Sequence, residues 1–426
     1  MGRTEVFRSG SGAAAKQPVL FGPSLEERLS DCPLVLAFSP MVERVLGDRL
    51  RSLYQDGGGV PYDPVALFSV WLLGYLEGVR SSRHLERVCR YDIRYEYLSR
   101  SCYPDYSTLC RFRKRLEGIL DSLFLEIVQA CQEAGLVSCK SVAVDGTKIM
   151  ARKTQWRKAL EESEAADAFE EEARTMLTTH GEYLVGYNIQ AVADTQHGIV
   201  VGYVATNQAN DSGQLGPALE ATEKLSGMHP ESAVVDKGYD SGLNASAAAR
   251  LDVEAVIPPV QANRPFAPGE NGTMLCMAGH VASHGKWTDK QTGQDYDLFR
   301  VSKCRNCPLR QECGAKWHQR EMKVMAGTLA KDKAAANARA KTPEGKALLR
   351  KRGPTIERTF SFLKREQGLR RFLLSGLAGA RLECGLAFMG QNLRRLLMAL
   401  LKLIYLLIST WKAMSGSKPS NFAPAR

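Results

Sequence analysis

The sequence predicts a mixed α/β protein preceded by a helical N-terminal domain. Three observations predict it: apolar residues at helical spacing from Pro23 to Gly135, a change after Gly135 to short β-branched runs, and helical intervals between the later runs. With 426 residues, 44% of them hydrophobic, the chain can build two or three domains, each with its own core.

Residues 1–22, rich in Gly, Ala, Ser and Lys, are expected to form a flexible tail. Residues 23–135 read as a helical DNA-binding domain. Leu46, Leu50 and Leu53 recur at turn spacing, and Asp63 and Pro64 precede Val65, Leu67, Phe68, Val70, Trp71 and Leu72 as a cap and first-turn pair. The stretch SSRHLERVCRYDIRYEYLSRSCYPDYSTLCRFRKRL reads as two short helices, a Tyr-Pro-Asp turn and a third helix capped by Ser107. That third helix carries Arg111, Arg113, Lys114 and Arg115 along its outer surface. A helix-turn-helix meeting DNA and a solvated basic face are equally compatible with this spacing.

Beyond Gly135, SVAVDGTKI (141–149), YNIQAVAD (187–194), GIVVGYVAT (198–206), SAVVDKGY (232–239) and VEAVIPPV (253–260) are bounded by Gly, Asp or Pro and predict strands. The second and third are close enough to form an antiparallel hairpin. Helices are predicted over 214–225 and 243–251, so this section is mixed α/β. An acidic run over 158–179 predicts a helical excursion with a solvated face. Residues 261–330 form a Cys-rich insertion with few apolar runs. Residues 376–426 read as a helical C-terminal segment and tail. Leu396–Ile408 is interrupted by Lys402 and falls short of the roughly 18 uninterrupted apolar residues a membrane span requires, so it is expected to pack on protein.

Lys and Arg number 57 against 46 Asp and Glu, a formal charge of +11, which favours a polyanionic partner such as nucleic acid. The N-terminal stretch MGRTEVFRSGSGAAAK has no apolar run after its charges, so a cytoplasmic, reduced setting is expected, with no membrane partner.

Asp145 and Asp236 close the apolar runs VAVD and AVVD. Carboxylates at strand ends can bridge a pair of hard cations such as Mg²⁺ or Mn²⁺, although a strand-end Asp standing alone is more often a turn or cap. Glu357 follows Pro354 on the opening turns of a predicted helix, with Ile356, Phe360 and Leu363 at helical spacing. Lys364, seven residues on, shares its face.

In this order, VAVDGTKI, YNIQAVAD with GIVVGY, NDSGQL, VVDKGYDS and IERTFSFLKRE resemble the DDE transposases of bacterial insertion sequences, over roughly residues 25–400. The resemblance implies an RNase H-like catalytic domain over 136–375 in which Asp145, Asp236 and Glu357 bind Mg²⁺. It implies cleavage and strand transfer at terminal inverted repeats, a homodimer on DNA, and work on the bacterial nucleoid. Lys364 fits the family's Lys seven residues after the Glu, a contact to DNA phosphate. Upstream the pattern departs: Arg352 stands nearest the family's Arg, the strict spacing falls on Gly353, and LLRKRGPTIE contains no Tyr.

The spacing in CRNCPLRQEC, with Cys276 upstream, suits a structural Zn²⁺ held by Cys276, Cys304, Cys307 and Cys313, with His280 or His318 as substitutes. A metal-free reduced loop is the alternative. Asn188 and Gln190 share one strand face, either beside Asp145 or as ordinary sheet polarity. Arg370, Arg371, Arg394 and Arg395 are either phosphate contacts or solvated charge. The readings that compete with a transposase are an inactive, transposase-derived DNA-binding protein and a metal-dependent nuclease that stops at cleavage.

Overall fold

The computed structural model describes residues 22–54, 60–152, 170–178, 181–260, 266–269, 273–289, 295–313, 320–326 and 328–414. Residues 1–21 of the expected N-terminal tail, the greater part of the acidic run and His318 lie outside the described residues. The chain divides into two compact units, one of residues 1–210, 217–231 and 351–426, the other of 211–216 and 232–350.

The first unit opens with α1 (Leu25–Arg28), α2 (Pro33–Arg51), α3 (Pro64–Leu76), α4 (Ser82–Tyr91), α5 (Ile93–Leu98), α6 (Tyr106–Arg115) and α7 (Leu120–Glu133). Helix α3 begins as expected: Pro64 occupies the first turn, and the Asp63 carboxylate accepts the Val65 amide at 2.9 Å. Every residue of α3 is buried, as befits a helix apolar on all sides at the centre of a domain. Helices α4, α5 and α6 are the three expected around the Tyr-Pro-Asp turn. The cap of α6 is Asp105 rather than Ser107. Its carboxylate accepts the Thr108 amide at 2.7 Å, while the Ser107 hydroxyl only donates to Asp105 at 2.7 Å.

Four strands follow: β1 (Ser141–Met150), β2 (Arg174–Leu177), β3 (Tyr183–Asp194) and β4 (Val200–Thr206). β3 runs antiparallel to β1 along one edge and to β2 and β4 along the other. The expected β3–β4 hairpin is present. β2 corrects the acidic excursion: residues 174–177 are extended and pair with β3, because Met176 fills a buried position.

Helix α8 (Leu215–Ser226) belongs, but for its first two residues, to the first unit; in the second the order is β5 (Ser232–Val234), α9 (Gly242–Arg250), β6 (Glu254–Val256) and, later, α11 (Thr328–Arg339). β5 and β6 are parallel, joined through α9, and α9 and α11 pack on each other. The Cys-rich insertion contributes β7 (Phe266–Pro268) and β8 (Met274–Cys276) as a pair, then β9 (Ser283–Thr288), β10 (Asp295–Val301), the short α10 (Arg310–Cys313) and β11 (Arg320–Met325). β9, β10 and β11 form a three-stranded antiparallel sheet. Its core is small: Phe266, Ala282, Val301 and Cys304, with Met274, Cys276, Phe299 and Met322 packed around them.

Helix α12 (Pro343–Arg352) runs through a π turn over Gly353–Glu357 into α13 (Arg358–Arg365), and α14 (Gly376–Met414) closes the chain. The first half of α14 packs on α2, α3, α7 and β4. Its far end departs from expectation. Leu403, Ile404, Leu406, Leu407, Ile408 and Trp411 are exposed, because the helix runs on past the residues that bury Leu393, Leu396 and Leu397. Among the described residues no helix is long and apolar enough to cross a membrane.

Candidate active site

β1 delivers Asp145. Asp145 lies within the strand and not at its end, as the apolar run had suggested: Val142, Ala143 and Val144 before it and Thr147 and Ile149 after it are buried, and its side chain keeps 17% exposure. One carboxylate oxygen, Oδ1, accepts the amide of Gly146 at 2.8 Å, and Oδ2 accepts Nη2 of Arg352 at 2.9 Å. The same guanidinium donates through Nη1 to Oε1 of Glu357 at 3.2 Å. Two acids far apart in the sequence therefore share one cation.

The π turn positions Glu357 and packs on β1 and β3. Pro354 has no N–H to donate back along the helix, and its ring crowds the preceding turn, so the α-helical ladder cannot pass through it. The turn widens instead, and the Thr355 hydroxyl donates to the Lys351 carbonyl at 2.8 Å. Pro354 thus sits inside a continuous helical path and does not open a new helix, as the spacing had suggested. Glu357 is 63% exposed, against 14% for Arg352. Lys364, two turns on, lies in the field of Asp145: burial and the nearby Arg370 push its ammonium down, while Asp145 raises it. Arg370 fixes the same turn by donating from Nε to the Lys364 carbonyl at 3.2 Å.

Asp236 lies in the second unit, two residues past Val234, where β5 ends. It caps a short 3₁₀ turn, Lys237–Tyr239, by accepting the Gly238 amide at 2.8 Å. Asp240, which the sequence reading passed over, anchors this loop. Its carboxylate accepts Nζ of Lys333 at 3.1 Å, Nδ2 of Asn337 at 3.0 Å and the Val260 amide at 2.9 Å. Lys333 and Asn337 stand one turn apart on α11, a spacing visible in the sequence, but nothing local marks Asp240 as their partner.

Asn188 and Gln190 do not lie beside Asp145. The register pairs Asp145 with Ala191, Gly146 with Gln190 and Lys148 with Asn188, so strand alternation sends both amides to the opposite face, where they are buried.

Of the four basic residues expected on the outer surface of α6, Arg111, Lys114 and Arg115 are exposed, Arg115 lying over the Tyr54 ring at 5.1 Å. Arg113 is a correction. It falls on the stripe with Leu109 and Phe112, is buried, stacks over Trp71 at 4.5 Å and donates to the Arg80 carbonyl at 3.4 Å. Arg395 is likewise structural: burial lowers its pKa to about 10, and it donates to the Gly198 carbonyl and to the Thr359 hydroxyl. Arg394 lies over Phe362 at 5.5 Å, and Arg371 donates to the Met150 sulfur at 3.4 Å.

Cys276, Cys304, Cys307 and Cys313 line one cavity of about 20 Å³ together with His280. Among the described residues no group of three or more His, Cys, Asp or Glu is placed closely enough to hold a metal ion.

The chain thus joins a helical region carrying a three-helix basic segment to an α/β part that bears one acid within a strand, one past a strand end and one on a helical turn. Family comparison gives the particular family. Residues 23–115 match the Transposase domain (DUF772), and residues 275–397, which include Glu357 and Lys364, match the Transposase DDE domain. Together the two matches support a DDE transposase of insertion-sequence type and indicate a transposition-related function. No curated protein matches the chain.

Proposed function

We propose that the protein cleaves DNA at the terminal inverted repeats of an insertion sequence and transfers the freed strand to target DNA. Asp145, Asp236 and Glu357 supply the carboxylates for Mg²⁺ or Mn²⁺. The observation that carries this reading is the convergence of Asp145 and Glu357 on one guanidinium. Two acids that already share a cation are a donor set of hard oxygens suited to a divalent ion. When bound, such ions activate the attacking oxygen and stabilise the leaving one in an in-line displacement. The chain's part is placement. The π turn holds Glu357 beside Asp145, the Gly146 amide orients the Asp145 carboxylate, and Lys364 offers an ammonium to a DNA phosphate.

In this reading the helical region 23–135 binds DNA, a homodimer brings two element ends together, and the protein works on the bacterial nucleoid. The exposed Arg111, Lys114 and Arg115 of α6 meet the backbone. Replacing Lys114 with Ala is expected to weaken binding at low salt and lower the salt slope by about one phosphate contact. Arg113→Ala is expected instead to lower the melting midpoint, costing about 1–2 kcal/mol through the lost Trp71 stacking and hydrogen bond. Salt-dependent fluorescence anisotropy and thermal unfolding of both variants check the pair.

For the insertion, we propose one structural Zn²⁺ among Cys276, Cys304, Cys307 and Cys313. The support is that the four cysteines, from two separate stretches, 276–280 and 301–313, line one cavity of roughly the size that holds a single water, in a segment with a small core. Elemental analysis of the purified protein is expected to find one zinc per chain, lost in Cys307→Ser. A zinc content of zero in protein purified without chelator sinks this part.

The main test is cleavage of labelled DNA carrying the flanking terminal repeats, with Mg²⁺ or EDTA, in wild type and Asp236→Ala. Metal-dependent nicking at the repeat ends, absent in the variant while binding persists, supports the assignment. Equal cleavage in both removes Asp236 from the site. Binding without cleavage in either protein favours an inactive DNA-binding descendant, and cleavage without strand-transfer products favours a nuclease.

A further inference from the structure

We infer that Arg352 is the resident counter-cation of the acidic site: in the metal-free protein its guanidinium sits between Asp145 and Glu357, in the seat a divalent ion requires, and it competes with that ion for the two carboxylates. The inference rests on the reading of Asp145 and Glu357 as metal ligands.

The geometry begins with a spacing that ought to fail. Arg352 and Glu357 are five residues apart. At about 100° per residue, an α-helix would turn them about 140° away from each other. The π turn absorbs one extra residue in that stretch, which returns the fifth residue to the face an α-helix gives the fourth. The widening therefore realigns an arginine that the sequence places one position too early. Gly353 occupies the position that strict spacing would give to the arginine. A Cβ there would make only ordinary contact, 3.6 Å, with the Glu357 carboxylate oxygens, and Gly353 itself offers no charge, so the cation arrives from Arg352.

Two features separate this contact from an ordinary surface ion pair. Arg352 is 14% exposed and reaches two different carboxylates with two different nitrogens, at 2.9 and 3.2 Å. Its third nitrogen, Nε, is buried without a hydrogen-bond partner, so the guanidinium is only partly satisfied where it lies. A cation held by the two acids and otherwise incompletely bonded neutralises their repulsion before metal arrives and can be displaced when it does. Released, it becomes a mobile positive charge at the edge of the site.

Mn²⁺ binding to the full chain, read from free Mn²⁺ by electron paramagnetic resonance, tests this without DNA or activity. Arg352→Met is expected to bind Mn²⁺ about tenfold tighter than wild type, with a lower melting midpoint when metal-free and a larger rise on adding Mn²⁺. Arg352→Lys, a point charge that cannot fork to both acids, is expected to fall between the two. Unchanged or weaker Mn²⁺ binding in Arg352→Met overturns the inference. Should that variant not fold, a wild-type affinity in Arg352→Lys overturns it equally. Asp145→Asn separates the two levels: it is expected to lose Mn²⁺ affinity, and if it binds Mn²⁺ as wild type does, the assignment of the acids themselves fails, whatever Arg352 does.

Discussion

Asp145→Asn is expected to reduce cleavage at the element ends by about 10³-fold, a loss of about 4 kcal/mol of transition-state stabilisation, while the variant still folds and still binds DNA. Asn preserves the shape of the side chain and an oxygen to accept the Gly146 amide, now held at 2.8 Å by Oδ1. What disappears is the charge that faces Arg352 and that raises the Lys364 ammonium. The effect should therefore lie in the chemical step. Single-turnover cleavage of a pre-nicked or intact repeat end, with Mg²⁺ varied, measures it. A rate within tenfold of wild type at saturating Mg²⁺ would mean that Asp145 is a strand carboxylate with no part in the reaction.

The strand that carries Asp145 was legible because VAVD is local, but β1 runs on to Met150, so the carboxylate stands mid-strand and not at the end its apolar run suggested. The position of Glu357 was legible from its periodicity with Ile356, Phe360 and Leu363, two of which line a buried stripe with Ile356. The helix around it was not. A proline at the first turn of a helix and a proline inside a π turn look alike in sequence, and only the continuity of α12 into α13 tells them apart. That distinction decides whether Arg352 can reach Glu357 at all. Arg113 shows the same limit from the other side. It has the residue type of its exposed neighbours, and only the placement of Trp71, from a different helix, makes it a core residue. Asn188 and Gln190 were placed correctly on one strand face, but which face depends on the pairing partner, which strand alternation alone cannot supply.

The second large effect lies in stability, at a buried ion pair that no motif announces. Arg80, between α3 and α4, donates through Nη1 to Glu383 Oε2 at 2.9 Å, and through Nη2 to the carbonyls of Gly368 and Arg371 at 2.8 and 3.1 Å. Glu383, on α14, accepts the amides of Leu373 and Leu374 through Oε1 at 2.5 and 2.7 Å, and its side chain is fully buried. Between them these two residues clamp the stretch 368–374. That stretch also takes the edge of β1: the Met150 amide donates to Arg370 at 3.1 Å, and the Phe372 amide donates to Met150 at 2.9 Å. One clamp thus ties the helical region, α14 and the strand that carries Asp145. Glu383→Ala would leave Arg80 buried without its anion and two amides without an acceptor. The expected cost is about 3–5 kcal/mol, measured by equilibrium urea denaturation. Glu383→Gln keeps an oxygen for the two amides and should cost less, and its residual loss measures the charge pairing itself. Because the stretch includes Arg370, which holds the Lys364 turn, the Ala variant should also lose cleavage beyond its folded fraction. A cost under about 1 kcal/mol would place the pair among ion pairs that hydration replaces at little loss, and would remove the mechanical link between the helical region and the acids.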